Sequence, residues 1–317
     1  MTQINDSVST EMKKHIGIIF AVLLTSLLLP QLVCAQQRPD PEFNVVVENP
    51  AYKKAFPRLM FDEAHNNFHT TEGRYKPFAD LIINDGYHVV RNRKPFTRAA
   101  LDTFKVLVIA NALGAEEMDD DGADHSAFTD EECDAVRDWV KDGGALLLIA
   151  DHAPFGGAAE NLGKRFDVSM SKGYTLDPAN SLEKQSTSLL VFSRENKLLL
   201  DHPITQGRND GEKIKTVFTF TGQSLKGPKD SSAFLSLGAT AKDKADRTST
   251  TETSAEGRAQ GIAFKFGKGR VVVMGEAAML SAQLAGSENR PMGMNVPGSD
   301  NRQLALNIMH WLSGVLK

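Results

Sequence analysis

Three short apolar runs in this chain each end abruptly in polar residues. The runs cover residues 58–61, 145–149 and 271–274, and acidic, amide or histidine side chains follow each of them. Apolar runs of this length with polar breaks are typical of strands buried on both faces. In open parallel sheets, ligands bind just beyond the carboxyl ends of such strands. The pattern therefore predicts the location of a site, although it does not predict the reaction.

Helical patterns alternate with these runs. Thr129 and Glu132 form a capping box that begins one helix, and Ser299 or Asp300 is the predicted cap of the last helix. The first helix has the apolar stripe Tyr75, Phe78, Ala79, Ile82 and Ile83, and the last has Leu304, Ile308, Trp311, Leu312 and Val315. This alternation predicts an α/β fold with a mainly parallel central sheet and helices on both faces.

Three other segments have recognisable patterns. The three valines at residues 45–47 predict an edge strand. Residues 242–256 are polar and rich in Ser, Thr and charge, which predicts a mobile loop. Residues 262–266 and 270–274, joined by a Gly-Lys-Gly turn, predict a hairpin. The pattern indicates no role for the middle region, residues 170–255.

The first 35 residues have the features of a secretory signal peptide. A pair of lysines precedes an uncharged apolar stretch over residues 16–29, and Val33-Cys34-Ala35 offers a small-residue cleavage site. A membrane-spanning helix needs about 20 apolar residues, so we expect no stable span in the mature chain. We expect cleavage after Ala35 and a periplasmic or secreted protein, with lipidation of Cys34 as the alternative.

The organisation of the mature chain follows from this processing. The start lies at Met1 or Met12, and in either case signal removal leaves Cys133 as the single cysteine, so no internal disulfide is expected. Residues 36–56 are a polar lead-in segment, and residues 57–317 form a single domain. The net charge of -4 gives no reason to expect nucleic acid as a partner, so a small polar ligand is the expectation.

The layout resembles the class I glutamine amidotransferase-like superfamily. Strand, helix, strand, strand, helix and strand follow in order, then a His-Pro-Ile triplet at residues 202–204 and a late strand ending in Gly275-Glu276. The closer likeness is to trehalose-utilisation-like proteins and to the domain shared by gliding-motility and intraflagellar-transport proteins. The resemblance covers residues 57–316 and implies a three-layer, flavodoxin-like fold.

The chain departs from this superfamily at the residues that carry its chemistry. Amidotransferases have a cysteine nucleophile at the turn after the fourth strand, where residues 149–153 read Ile-Ala-Asp-His-Ala. The late His-Pro-Glu of the superfamily is replaced by Gly275-Glu276-Ala277. Cys133 lies on the predicted buried face of a helix, where a thiol is not activated. Glutaminase chemistry through a thiolate is therefore not expected.

Nine polar residues form the candidate site; eight of them follow predicted strands, and the ninth lies at the start of the last helix. The candidate catalytic residues are Asp151, His152 and Glu276, and the candidate ligand-binding residues are Asp62, Glu63, His65, Asn66, Asn111 and Asn301. Neighbouring carboxylates in a partly dry cleft shift the pKa values of one another, and imidazole transfers protons near neutral pH. The same residue types bind divalent metals, and they also cap helices and anchor loops. The sequence leaves these three roles open.

Two functions remain open on the sequence alone. The first is an exported hydrolase-like enzyme that acts on a small polar substrate, with a carbohydrate as one candidate. The alternative is a non-catalytic ligand-binding or interaction module that has lost the amidotransferase nucleophile. The clustered ionisable residues favour the enzyme, whereas the missing nucleophile favours the module.

Overall fold

The structure is a computed structural model that describes residues 37–54, 56–183 and 186–317. The predicted signal peptide, its cleavage site and the choice of starting methionine lie outside these residues. Within the described residues, no helix is long and apolar enough to cross a membrane.

The elements are numbered along the chain. The strands are β1 (Arg38–Pro39), β2 (Arg58–Asp62), β3 (His88–Asn92), β4 (Val106–Ala110), β5 (Ala145–Ile149), β6 (Ser169–Met170), β7 (Tyr174–Leu176), β8 (Ser181–Glu183), β9 (Ser186–Ser193), β10 (Thr216–Phe218), β11 (Leu225–Lys226), β12 (Ser232–Ser236), β13 (Lys242–Lys244), β14 (Thr253–Ser254), β15 (Ala259–Phe266), β16 (Gly269–Met274), β17 (Ala282–Ala285) and β18 (Arg290–Gly293). The α-helices are α1 (Lys76–Asn84), α2 (Arg98–Leu101), α3 (Asp130–Lys141), α4 (Phe155–Ala158), α5 (Glu160–Lys164), α6 (Pro203–Gln206) and α7 (Asn301–Ser313).

A large sheet forms the centre of the fold. Its strand order is β3-β2-β4-β5-β16-β15-β11-β6, and β12 also pairs with β15. The first five strands run parallel, whereas β15 joins β16 as the antiparallel partner of a hairpin. The three apolar runs are β2, β5 and β16, so the predicted sheet and hairpin are both confirmed. The parallel strands therefore place their carboxyl ends at one edge.

Both faces of this sheet are covered by helices. Successive residues of a strand point to opposite faces, so Leu59 and Phe61 join one core and Met60 joins the other. Helices α1 and α7 pack in the first core and α3 in the second. Thr129 and Glu132 form the predicted capping box of α3. These two cores confirm the predicted three-layer α/β architecture.

Four expectations about residues in or beside the helices are wrong. Ile83 is 51% exposed because it lies on the outer side of α1, and Leu81 is buried instead. Helix α7 ends at Ser313, before Val315, because Gly314 adopts a left-handed φ of 91°. Asp300 precedes α7 without a capping bond, since its carboxylate accepts the backbone N–H groups of residues 215 and 216 instead. Ser299 donates to a carbonyl three residues earlier and is no cap either.

Residues 45–47 do not form the predicted edge strand. The Asn44 side chain accepts the N–H of Val46 at 2.9 Å, and Arg302 donates to the carbonyl of Val46 at 2.6 Å. These side-chain bonds occupy backbone groups that a strand ladder would otherwise use. The lead-in segment instead joins a small sheet through β1, which pairs with β17.

Residues 242–256 are more ordered than the predicted loop. They contain β13 and β14, which pair with each other, and β13 also pairs with β7. The carboxylate of Asp243 is buried and accepts the hydroxyls of Thr175 and Ser224, both at 2.6 Å. A buried, fully bonded carboxylate anchors a segment whose composition alone indicates mobility.

The core packing makes a direct stability prediction. Ile149 is fully buried in β5, so Ile149→Ala is expected to lower the free energy of unfolding by about 2 to 5 kcal/mol through lost burial and a cavity. The matched control is Ile83→Ala at an exposed position. This variant is expected to change the free energy of unfolding by less than about 0.5 kcal/mol. Urea unfolding measures both variants. If both variants lost the same free energy of unfolding, the assignment of Ile149 to the core would be wrong.

Candidate functional site

The carboxyl edge of the parallel sheet brings three of the predicted site residues together. Asn111 follows β4, Asp151 follows β5 and Glu276 follows β16, and these are adjacent strands. The N–H of Asp151 donates to the Asn111 side-chain oxygen at 3.0 Å. The Asp151 carboxylate accepts the N–H of Ala277, the residue after Glu276, at 3.4 Å. Residues far apart in sequence therefore meet as the sheet predicts.

Asp151 is a buried carboxyl group with an altered acidity. Burial raises its pKa to about 7, although donors at His152 and Ala277, the Asn111 side chain and the charge of Arg247 each act to lower it. The closest donor is the N–H of His152, at 2.7 Å from Oδ1. Desolvation disfavours the charged form of a carboxyl group. Asp151 can therefore give or take a proton near neutral pH.

Glu276 is a second buried carboxyl group at this edge. Its oxygens accept the N–H groups of Ala278 at 2.9 Å and Met279 at 2.8 Å. Burial and the charge of Asp151 raise its pKa well above the ordinary value. Because like charges in a dry site do not both ionise readily, ionisation of one carboxyl group disfavours ionisation of the other.

His152 presents one nitrogen for chemistry. Its Nδ1 lies 2.7 Å from the carbonyl oxygen of Ala153, which can only accept, so Nδ1 donates and Nε2 carries the lone pair. The ring stacks on Tyr174 with centroids 4.6 Å apart. Burial and the charge of Arg247 lower the pKa of His152 from 6.5. A neutral imidazole with a free Nε2 is suited to accept a proton.

Asp62 and His65 belong to a different cluster on the same edge. Both ring nitrogens of His65 are hydrogen-bonded to carboxylates, which accept: Asp62 lies 2.8 Å from Nδ1 and Glu132 lies 2.9 Å from Nε2. The His65 ring packs against both Phe96 and Phe128, each with a centroid 4.7 Å away. Burial lowers the pKa of His65, but the bonds and charges of the two carboxylates outweigh it and raise the pKa overall. This cluster ties the end of β2 to the start of α3.

The other three predicted ligand-binding residues lie elsewhere or are engaged by the backbone. Glu63 accepts the N–H and hydroxyl of Thr71 at 2.9 and 2.6 Å. Asn66 is an exposed turn residue with φ of 47°. Asn301 is fully buried and bonds the N–H and carbonyl of Phe218 at 2.9 and 2.8 Å. A ligand contact by these side chains stays a prediction, and their present bonds are those of loop anchors.

The structure adds aromatic and basic residues to the site that the sequence pattern did not single out for it. Tyr75 donates its hydroxyl to the carbonyl of Ala277 at 2.6 Å. The sequence pattern placed Tyr75 in the apolar stripe of a helix, so it indicated a core position and not this hydrogen bond. Tyr174 and Arg247 come from the middle region, whose contacts depend on the tertiary fold. Apart from their residue types, nothing in the sequence around Tyr174 and Arg247 indicated that they lie near the site.

Neither a metal centre nor a reactive thiol is found in the described parts of the chain. No group of three or more His, Cys, Asp or Glu residues there could hold a metal ion. Cys133 is fully buried, and burial raises its pKa to about 12, so it stays a thiol.

A cleft of about 490 Å³ lies next to His152 and is lined by Ala153 and Pro154. Most of its charged side chains are acidic, and its lysine, Lys172, is paired with Glu160.

Comparison with known proteins identifies the fold. No family model and no curated protein matches the chain. Among solved structures, the mmIFT52 N-terminal domain aligns with a TM-score of 0.55 at 14% identity, covering 81% of this chain and 97% of that domain. This likeness agrees with the predicted three-layer α/β fold with a mainly parallel central sheet. It shows the fold alone.

Two further matches are more distant. A putative ThuA-like protein from Bacteroides uniformis gives a TM-score of 0.42 at 13% identity, covering 86% of this chain and 95% of that one. A putative GMP synthase component from Thermoplasma acidophilum also gives 0.42, at 11% identity, covering 83% and 96%.

Proposed function

We propose that the chain is an exported hydrolase-like enzyme that acts on a small polar substrate at the Asp151–His152 site. The observation that carries this proposal is the pairing of a neutral imidazole with a free Nε2 and a neighbouring carboxyl group whose pKa is about 7. General acid–base catalysis is most effective when the catalytic pKa lies near the working pH. A carbohydrate remains one candidate substrate.

The proposed reaction uses water as the nucleophile, since residues 149–153 contain neither Cys nor Ser. Nε2 of His152 takes a proton from the water while the water oxygen bonds to the electrophilic atom of the substrate. Protonated Asp151 gives its proton to the leaving atom as the scissile bond breaks. Proton exchange with solvent then restores both residues. Burial and the charge of Asp151 raise the pKa of Glu276, so the two carboxyl groups do not readily ionise together.

The alternative remains a non-catalytic ligand-binding module. Backbone N–H groups already donate to the side chains of Glu276 and Asn111, so both have hydrogen-bond partners without a substrate. This supports the alternative. The two functions differ in one property, since only an enzyme consumes what it binds.

A turnover screen tests the proposal. The chain is assayed against chromogenic carboxylic esters, phosphate esters, glycosides and anilides, with the His152→Gln variant beside it. Turnover of one class that disappears in the variant supports the enzyme. Saturable binding without turnover supports the module, and turnover that is equal in both proteins removes His152 from the mechanism.

A further inference from the structure

A cleft of about 480 Å³ lies at the edge of the central sheet opposite the Asp151–His152 site. Residues in or beside α6, α7, β12 and β15 line it, among them His202, Asp230, Ser232, Phe264, Lys265 and Trp311. Lys265 pairs with Arg270 at the start of β16, whereas Glu276 follows the end of β16. A ligand in this cleft would therefore be separate from the proposed catalytic residues.

His202, the first residue of the His-Pro-Ile triplet, offers an N–H donor to this cleft. Its Nδ1 accepts the N–H of Ile204 at 3.1 Å, so the hydrogen of the neutral ring lies on Nε2. Burial and the charge of Arg270 lower the pKa of His202 to about 4, so the ring is neutral at pH 7. Within the described ranges the bond at Nδ1 is the only hydrogen bond of this ring, which leaves the Nε2–H free for a ligand.

Aromatic packing fixes the orientation of the His202 ring. Its centroid lies 6.0 Å from that of Phe234 and 5.3 Å from that of Trp311, with interplanar angles of 28° and 62°. The Arg270 guanidinium lies 5.1 Å from the Trp311 ring and donates to the carbonyls of Trp311 and Leu316 at 2.5 and 2.7 Å. A donor that is already held in place loses little conformational entropy when it binds a ligand.

The other polar side chains of the cleft are mainly donors. Lys265 and Lys317 are its basic side chains, Ser232 adds a hydroxyl, and Asp230 is its acidic side chain. An ammonium group donates three hydrogen bonds and accepts none. In the part of the chain that the structure describes, neither lysine forms an ion pair. Phe264 and Trp311 add apolar surface, which a carboxylate with an apolar body would cover and an inorganic phosphate would not.

We propose that this cleft binds a small carboxylate with an apolar body. The carboxylate accepts the Nε2–H of His202 and a hydrogen bond from the Lys265 ammonium, and the apolar body packs against Trp311. Charge-assisted hydrogen bonds of this kind are stronger than those between neutral groups. The site goes beyond the proposed function and does not depend on it, because none of its residues belongs to the Asp151–His152 site.

Calorimetry and NMR of the tryptophan indole N–H groups test this binding in the full chain. Benzoate is the probe, benzamide is the neutral analogue of the same shape, and inorganic phosphate is the anion without an apolar body. The chain has two tryptophans, so Trp139→Phe assigns the two indole signals. We expect saturable binding of benzoate, with a shift of the Trp311 signal and none of the Trp139 signal. Benzamide and phosphate should bind at least 10-fold more weakly, about the effect of one charged hydrogen bond.

Three variants make opposite predictions for the affinity of benzoate. His202→Asn keeps a favoured capping acceptor for the N–H of Ile204 but removes the Nε2–H, so it should weaken binding about 10- to 100-fold. Lys265→Gln should weaken binding about 2- to 5-fold, as expected for an exposed charge. Asp230→Asn removes a like charge and should tighten binding by a similar factor. Lys268→Gln, at an exposed lysine of the same hairpin that does not line the cleft, is the matched control and should bind as the parent does.

The outcomes of this test are independent of the turnover screen. Benzoate binding that is equally tight in His152→Gln supports a separate site, whatever the chain hydrolyses. No saturable binding of benzoate, or benzamide binding that is equally tight, overturns the inference. Phosphate binding tighter than benzoate binding also overturns it. If His202→Asn does not fold, the opposite signs expected for Lys265→Gln and Asp230→Asn decide, and equal signs contradict the proposed carboxylate.

Discussion

Replacing His152 by glutamine is expected to lower kcat/KM by about 10²- to 10⁴-fold, the usual effect of losing a general acid or base. Glutamine keeps a polar group at the position but cannot take a proton from water. The hydrogen bond of His152 to Ala153 and its packing on Tyr174 contribute little to the fold, so the melting temperature should change by only a few degrees. Steady-state assays on the substrate found in the turnover screen, with thermal unfolding alongside, measure both effects.

The matched control is His88→Gln, at an exposed position on β3. It should keep the parent activity. A His152→Gln variant with full kcat/KM, or one that loses activity only because it unfolds, would assign His152 a structural role.

Replacing His65 by alanine is expected to lower the free energy of unfolding by about 3 to 5 kcal/mol, as for other buried charged partners. The substitution leaves the carboxylates of Asp62 and Glu132 buried without their shared partner and opens a space beside Phe96 and Phe128. His88→Ala at an exposed site is the control, with a change below about 0.5 kcal/mol. Urea unfolding compares the two.

The His65 contribution should also depend on pH. Because the pKa of His65 is raised in the folded chain, its stabilising effect is complete below the unfolded value of 6.5 and is lost as pH rises through the folded value. The stability difference between the parent and His65→Ala should therefore shrink on the alkaline side. A difference that grows with pH would show that the folded chain prefers neutral His65.

The sequence predicted the parts of the fold that depend on local pattern. Apolar runs buried on both faces identify β2, β5 and β16, and the Thr129–Glu132 box identifies the start of α3. The approach of Asp151 and Glu276 follows from parallel strand ends alone, whereas Asp62 and His65, which were expected beside them, form a separate cluster with Glu132. The correctly predicted features need only the neighbours along the chain and the general geometry of a parallel sheet.

The roles of individual polar residues could not be predicted in the same way. His65 is held by Glu132, and Asn301 by the backbone of Phe218, at sequence separations of 67 and 83 residues. Short-range pattern contains no information on such partners. The order of residues 242–256 likewise depends on hydroxyl groups that reach Asp243 from β7 and from just before β11.

The central claim is that Asp151 and His152 are poised for proton transfer at neutral pH. An NMR titration that follows the Asp151 carboxyl carbon and the His152 ring nitrogens tests it most directly, with Asp151→Asn and His152→Gln to assign the signals. We predict that Asp151 titrates near pH 7, and that His152 titrates below 6.5 with its proton on Nδ1. An Asp151 pKa at its ordinary 3.8 together with a charged His152 at pH 7 would contradict the account.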